Sequence, residues 1–260
     1  SGSAWGMRTS RAFGSAAVTL AFSMRGSAWF TPEVLRVAAD SASAAVGEKM
    51  LPTIRTISVR HQEQMLARRK RIREGADKDA AARADRRAAV LVPLCTSCGE
   101  PGVLFTVRSN AVSTHKGQVS FPGGHMDSHE SAPVAALREA WEELGTSLGP
   151  VDLIARCSPV PAITGTMVTP IIGFVADDIG PTPHNQLQLC RDEVDRAFFL
   201  SFDQLHDPNL RLKRHDKKHG DMPVFHGDDE GAEVWGLTAF ILDGVLREFL
   251  TPLYENRPAP

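Results

Sequence analysis

The densest acidic cluster of the chain is Arg138-Glu139-Ala140-Trp141-Glu142-Glu143-Leu144-Gly145. On a helix, residues three and four apart share a face, so Glu139, Glu142 and Glu143 converge on one side of any helix formed here. Like charges held that close repel, and a cation among them relieves the repulsion. Carboxylates without a nearby thiol or imidazole pair make a hard oxygen site, which suits Mg²⁺ or Mn²⁺. Taken alone, the octet also describes an exposed acidic helix face.

The residues upstream decide between these readings. Gly124, Glu130 and the octet follow the spacing G-x5-E-x7-R-E-U-x-E-E-x-G-U, where U is a bulky apolar residue. This pattern resembles the Nudix box. Every invariant position is matched, and the U positions depart, with a small Ala140 and a polar Thr146. The resemblance implies a loop-helix-loop inside an α/β/α sandwich, and hydrolysis of a nucleoside diphosphate linked to another moiety. A pyrophosphate bridge repels an attacking water, and metal ions both neutralise that charge and acidify the water. Glu142 and Glu143 match the family's ligand positions, with Glu139, the Gly124 carbonyl and Glu130 as further metal contributors. Arg138 orients the Glu139 carboxylate by a charge-assisted pair, and Glu139 is the candidate base. Gly123 and Gly124 allow close backbone approach, and Gly145 ends the helix.

A second pattern narrows the substrate. Leu104-Phe105-Thr106-Val107-Arg108-Ser109, followed by His115-Lys116-Gly117-Gln118-Val119-Ser120-Phe121-Pro122-Gly123-Gly124, is similar to the signature of coenzyme A diphosphatases within the Nudix superfamily. That signature carries a basic residue where this chain has Ser113. Arg108, Lys116 and His115 are the substrate-binding candidates. The segments Val168–Phe174, Glu193-Val194 before Phe198–Ser201, and Val234–Thr238 are also similar to that subfamily, so the resemblance spans residues 88 to 250. It implies release of phosphopantetheine and adenosine 3′,5′-bisphosphate. Two other functions remain open. One is the same chemistry on ADP-ribose, dinucleoside polyphosphates or RNA 5′ ends. The other is a non-enzymatic scaffold in a mitochondrial ribonucleoprotein.

These side chains need a framework. Ala88–Leu94 and Val103–Val107 read as two strands around a turn over Cys95–Gly102. Further strands are expected at Val151–Ala155, Val168–Val175 and Ala197–Ser201, and helices at Ala132–Leu144 and Val234–Phe249. The mixture indicates an α+β fold, a mixed sheet with helices on its faces. Asp203–Gly231, polar and Gly-rich, reads as an insertion loop, and its His206, His215, His219 and His226 read as loop residues more readily than as a metal cluster. Glu193 is read as either a further metal ligand or base or a structural cap. Trp235 reads as core in preference to a base-stacking platform. The lone Cys95-Thr96-Ser97-Cys98 is a weak zinc signal and reads as incidental.

The remainder of the chain has a different character. Of 260 residues, positions 1 to 88 hold 16 Lys+Arg and 8 Asp+Glu, which leaves 13 and 23 for the rest and splits a net charge of −2 into +8 and −10. No acidic residue precedes Glu33, while Arg8, Arg11 and Arg25 punctuate a Ser/Ala-rich stretch, a composition that resembles a mitochondrial transit peptide. Residues 1–32 are therefore expected to be a targeting segment, 33–87 a helical basic extension and 88–255 the Nudix domain. The run Arg68, Arg69, Lys70, Arg71, Arg73 reads as a solvated helix face, with an RNA or protein contact as the alternative. Four cysteines make no disulfide framework, so a reducing interior compartment is expected. No stretch approaches the roughly 18 apolar residues of a membrane-spanning helix, so no membrane partner is expected.

Overall fold

The computed structural model describes residues 29–46, 87–112, 115–216 and 220–257. The basic run, most of the targeting-like segment and Ser113 lie outside the described residues. No described helix is long and apolar enough to cross a membrane. The chain divides into two compact units, one of residues 1–50 with 244–260 and one of 51–243.

In the first unit, helix α1 (Pro32–Val46) opens with proline at its first position, where a missing N–H costs nothing. The Thr31 hydroxyl accepts the Val34 N–H at 3.4 Å. Val34, Leu35, Ala38 and Ala39 are buried at helical spacing and form one apolar stripe. Trp29 meets the Tyr254 ring edge-on at 6.5 Å between centroids.

The second unit is organised by β1 (Arg87–Ser97) and β2 (Glu100–Arg108). The expected turn is shorter than the sequence suggests. Both strands continue through the register Cys95↔Gly102, Thr96↔Pro101 and Ser97↔Glu100. Only Cys98 and Gly99 turn the chain, with φ of 51° and 81°. Two successive left-handed residues match the right-handed twist of a hairpin. The clamp comes from far along the chain, because the Asp178 carboxylate accepts the backbone N–H groups of Cys98, Gly99 and Gly180 at 2.8–2.9 Å. Cys95 is in the core, and burial pushes its thiol pKa up. Cys98 is exposed on the turn.

The remaining strands are β3 (Val119–Ser120), β4 (Gly123–His125), β5 (Val151–Arg156), β6 (Val160–Pro161), β7 (Met167–Val175) and β8 (Val194–Ser201). They complete a mixed sheet of order β3-β2-β1-β7-β5, with β4 on β1, β6 on β7 and β8 on β2. β1 and β7 run parallel, and the other pairs are antiparallel. β7 is buried beyond its first residue, as a continuous apolar run in a sheet interior should be. β8 starts three residues before its expected position because it stays paired with β2 as far as Arg108↔Val194.

Helix α2 (Ala132–Leu144) has the expected bounds. Ala135, Ala136 and Ala140 let it settle closely on Ala89, Leu91 and Ile171. Gly145, at φ 78°, ends it by donating its N–H to the Trp141 carbonyl.

The expected insertion loop is instead structured. After short helices α3 (Pro183–Gln186) and α4 (Phe202–His206), the chain forms β9 (Arg211–Asp216) and β10 (Gly220–His226), which join β11 (Glu233–Val234) in a separate sheet. Arg-Leu-Lys-Arg-His-Asp lacks the alternation that marks a half-buried strand. Among its described histidines, His206 pairs with the Phe202 carbonyl and His215 with Asp221, while His219 lies outside the described residues. The last expected helix begins at α5 (Gly236–Val245), continues as a π-turn (Leu246–Leu250) and ends as α6 (Thr251–Glu255).

Candidate active site

All of α2 except Val134 and Glu142 is buried, and that burial makes its carboxylates unusual. Glu139 and Glu143 lie one turn apart with only 4% and 2% of their surfaces exposed. One oxygen of each lies within 4.8 Å of an oxygen of Glu193, and these also lie within 4.8 Å of one another. Glu193 arrives from the turn before β8. That turn is fixed at both sides: Cys190 N–H donates to the Glu143 carbonyl, and Ser109 N–H donates to the Glu193 carbonyl, both at 2.9 Å.

Arg138 is the counter-charge, and it is fully engaged. Its Nε and Nη2 grip the two oxygens of Glu130 at 2.8 Å, while Nη1 donates to Glu139 Oε1 at 2.7 Å. Nη2 also reaches the His125 carbonyl, and Glu142 Oε1 lies 3.7 Å from Nη1. Burial works against the charge, but the Glu130 and Glu139 carboxylates outweigh it and hold the guanidinium firmly protonated. Of the expected ligands, Glu139 and Glu143 lie together with Glu193, the residue read as either a further ligand or base or a cap. Glu130 and Glu142 stand with Arg138. Glu193 lies 50 positions beyond Glu143, so no helical spacing signals the encounter.

Gly124 adds a cradle. A Cβ at this position would fall 2.7 Å from the Glu139 carboxyl carbon, so only glycine lets that carboxylate lie against the β4 backbone. Gly123, at φ 155°, passes as closely over Ala89 and Val90.

Arg108 ends β2 at a register shift between Val107 and Arg108, a bulge that re-aims the side chain. Its charge acts on Glu143, and its buried Nε meets no hydrogen-bond partner among the described residues. The following loop folds back on the same residue. Gly117 N–H donates to the Arg108 carbonyl, and Arg108 N–H donates to the Gln118 carbonyl, both at 3.0 Å. His115 adopts φ 58° and pairs Nδ1 with Gln118 Oε1 at 2.8 Å, leaving it and Lys116 exposed beside Arg108.

Hard oxygen donors, mutual repulsion and the Gly124 cradle together fit a divalent cation among Glu139, Glu143 and Glu193. Burial, then the charges of Glu139 and Glu193, push the Glu143 pKa from 4.5 up to about 8, against the pull of Arg108 and the Gly123 N–H. Without a dication, this group favours folding fully below about pH 4.5, and the contribution is lost as pH rises through about 8. At pH 7 a bound cation must displace that proton. Calorimetry with Mg²⁺ in buffers of different ionisation enthalpy should show proton release near pH 7, with affinity rising toward pH 8. Glu143→Gln should remove the proton release.

The NUDIX domain family description matches residues 85–222. A protein of Escherichia coli (strain K12) described as an uncharacterized Nudix hydrolase, NudL, is 37% identical over 169 residues, which are 63% of this chain and 80% of that protein. Its namesake in Enterobacter sp. (strain 638) is 34% identical over 164 residues, with the same shares. A crystal structure of a MutT/nudix family protein from Enterococcus faecalis aligns with a TM-score of 0.42 and 16% identity, covering 76% of this chain and 75% of that one.

Proposed function

The chain belongs to the Nudix family and is a pyrophosphohydrolase of that family, and we propose that it cleaves the phosphoanhydride bond of coenzyme A or a derivative. One observation carries the choice of substrate. The Arg108-Ser109 pair of the coenzyme A-type pattern is built into the acidic cluster, through the Ser109–Glu193 backbone bond and the action of Arg108 on Glu143. The residues proposed to read the substrate and those proposed to hold the cation are thus tied together by a backbone bond and by charge.

Glu139, Glu143 and Glu193 would hold Mg²⁺ or Mn²⁺, which supplies charge neutralisation at the pyrophosphate and a more acidic water. Glu139 takes the proton of the attacking water, and Arg138 fixes its carboxylate by the 2.7 Å bond. Arg108 draws a phosphate oxygen toward the cluster, with Lys116 and His115 at the rim. Oxygen from water bonds to one phosphorus as its bond to the bridging oxygen breaks. The products are phosphopantetheine and adenosine 3′,5′-bisphosphate, with no covalent enzyme intermediate.

Turnover of coenzyme A with mass identification of both products tests this directly. At fixed cation concentration, kcat/KM for coenzyme A should exceed that for ADP-ribose or a dinucleoside polyphosphate by about tenfold or more, the value of one well-placed charged contact. Preference for either competitor would overturn the substrate while leaving the chemistry intact.

A further inference from the structure

Trp235 is 44% exposed, where the sequence suggests core. Its neighbours are firmly held. Val234 before it is fully buried and pairs with Phe225, whereas the Trp235 side chain, just past the end of β11, reaches solvent. Gly236 after it turns through φ 63°, and Thr238 Oγ1 then donates to the Val119 carbonyl of β3 at 3.1 Å. Upstream, the turn before β11 closes through Gly227 N–H to the Ala232 carbonyl. Arg196 grips Asp228 in that turn through Nε and Nη2, both at 2.8 Å. Arg196 stands on β8 just beyond Glu193, and Val119 follows the His115–Gln118 loop. The backbone around Trp235 is therefore anchored on one side to β8, which follows Glu193, and on the other to β3, which follows the basic loop.

An indole left in water on a braced support is already ordered for a flat partner, so little conformational entropy is lost when one binds. From this placement we infer that Trp235 is the platform on which the adenine base of the nucleotide substrate stacks. The exposed charge of Lys116 and the half-buried charge of Arg108 complement phosphates, and the adenosine bisphosphate half of coenzyme A combines a π face with phosphates. The pantetheine arm offers neither a ring nor comparable charge. The inference rests on the substrate proposed above.

Two halves of the substrate separate the possibilities when titrated into the full chain by calorimetry. Trp235→Ala should weaken adenosine 3′,5′-bisphosphate by about tenfold, and Trp235→Phe should recover most of the loss, because stacking needs only an aromatic face. Binding of 4′-phosphopantetheine should not change. Ile163→Ala, which removes a side chain that is 89% exposed, should leave both unchanged. The inference is overturned if the parent does not bind the bisphosphate, if Trp235→Ala binds it as the parent does, or if both halves weaken alike. It is also overturned if sedimentation shows that Trp235→Ala dissociates a dimer while bisphosphate affinity holds. A Trp235-dependent bisphosphate affinity in a chain that does not cleave coenzyme A would remove the proposed substrate and keep the platform.

Discussion

Glu143→Gln is expected to lower cation-dependent turnover by about 10³-fold while leaving the folded chain at least as stable as the parent at pH 7. The two effects have one cause. With its pKa pushed up to about 8, the buried Glu143 holds a proton at pH 7 when no cation is bound. Glutamine reproduces that neutral state in shape and hydrogen-bonding capacity, so the apo fold loses nothing. It cannot become the anion that a dication requires. Melting curves with chelator should place the variant at or above the parent, and added Mg²⁺ should raise the melting temperature of the parent alone. A variant that keeps turnover within threefold, or that melts well below the parent in chelator, would show that the carboxylate acts otherwise.

How much of this was legible in the sequence depends on the distance over which each constraint acts. Helix α2 follows from the spacing of its own residues and from Gly145, so both ends were readable. The strands of continuous apolar character were readable within three residues, because burial on both faces leaves an unbroken run. Contacts between distant segments left no local trace. The turn at Cys98-Gly99 depends on Asp178, and the cluster depends on Glu193 arriving through the pairing of β8 with β2. β9 and β10 were hidden because β9 is almost wholly polar, and its ladder with β10 rather than apolar alternation makes it a strand. The box placed Glu130 among the metal contributors, and the structure shows both its oxygens occupied by Arg138. Sequence spacing locates such a carboxylate without telling which cation it faces.

That guanidinium carries the other large effect. Arg138→Ala should destabilise the chain by about 3–5 kcal/mol, the usual cost of removing one partner from a buried ionic network. The side chain is 3% exposed and neutralises Glu130 and Glu139 directly, with Glu142 close by. Its removal takes the guanidinium away from three crowded carboxylates. Two further variants separate charge from shape. Arg138→Lys restores the charge but not the fork that holds both oxygens of Glu130. It should recover much of the urea midpoint while kcat stays about 10²-fold low, because Glu139 is no longer aimed. Adding Glu130→Gln to Arg138→Ala should restore part of the lost stability, since one uncompensated charge is then gone. An Arg138→Ala chain within about 1 kcal/mol of the parent would mean that the carboxylates find other neutralisation in the folded state.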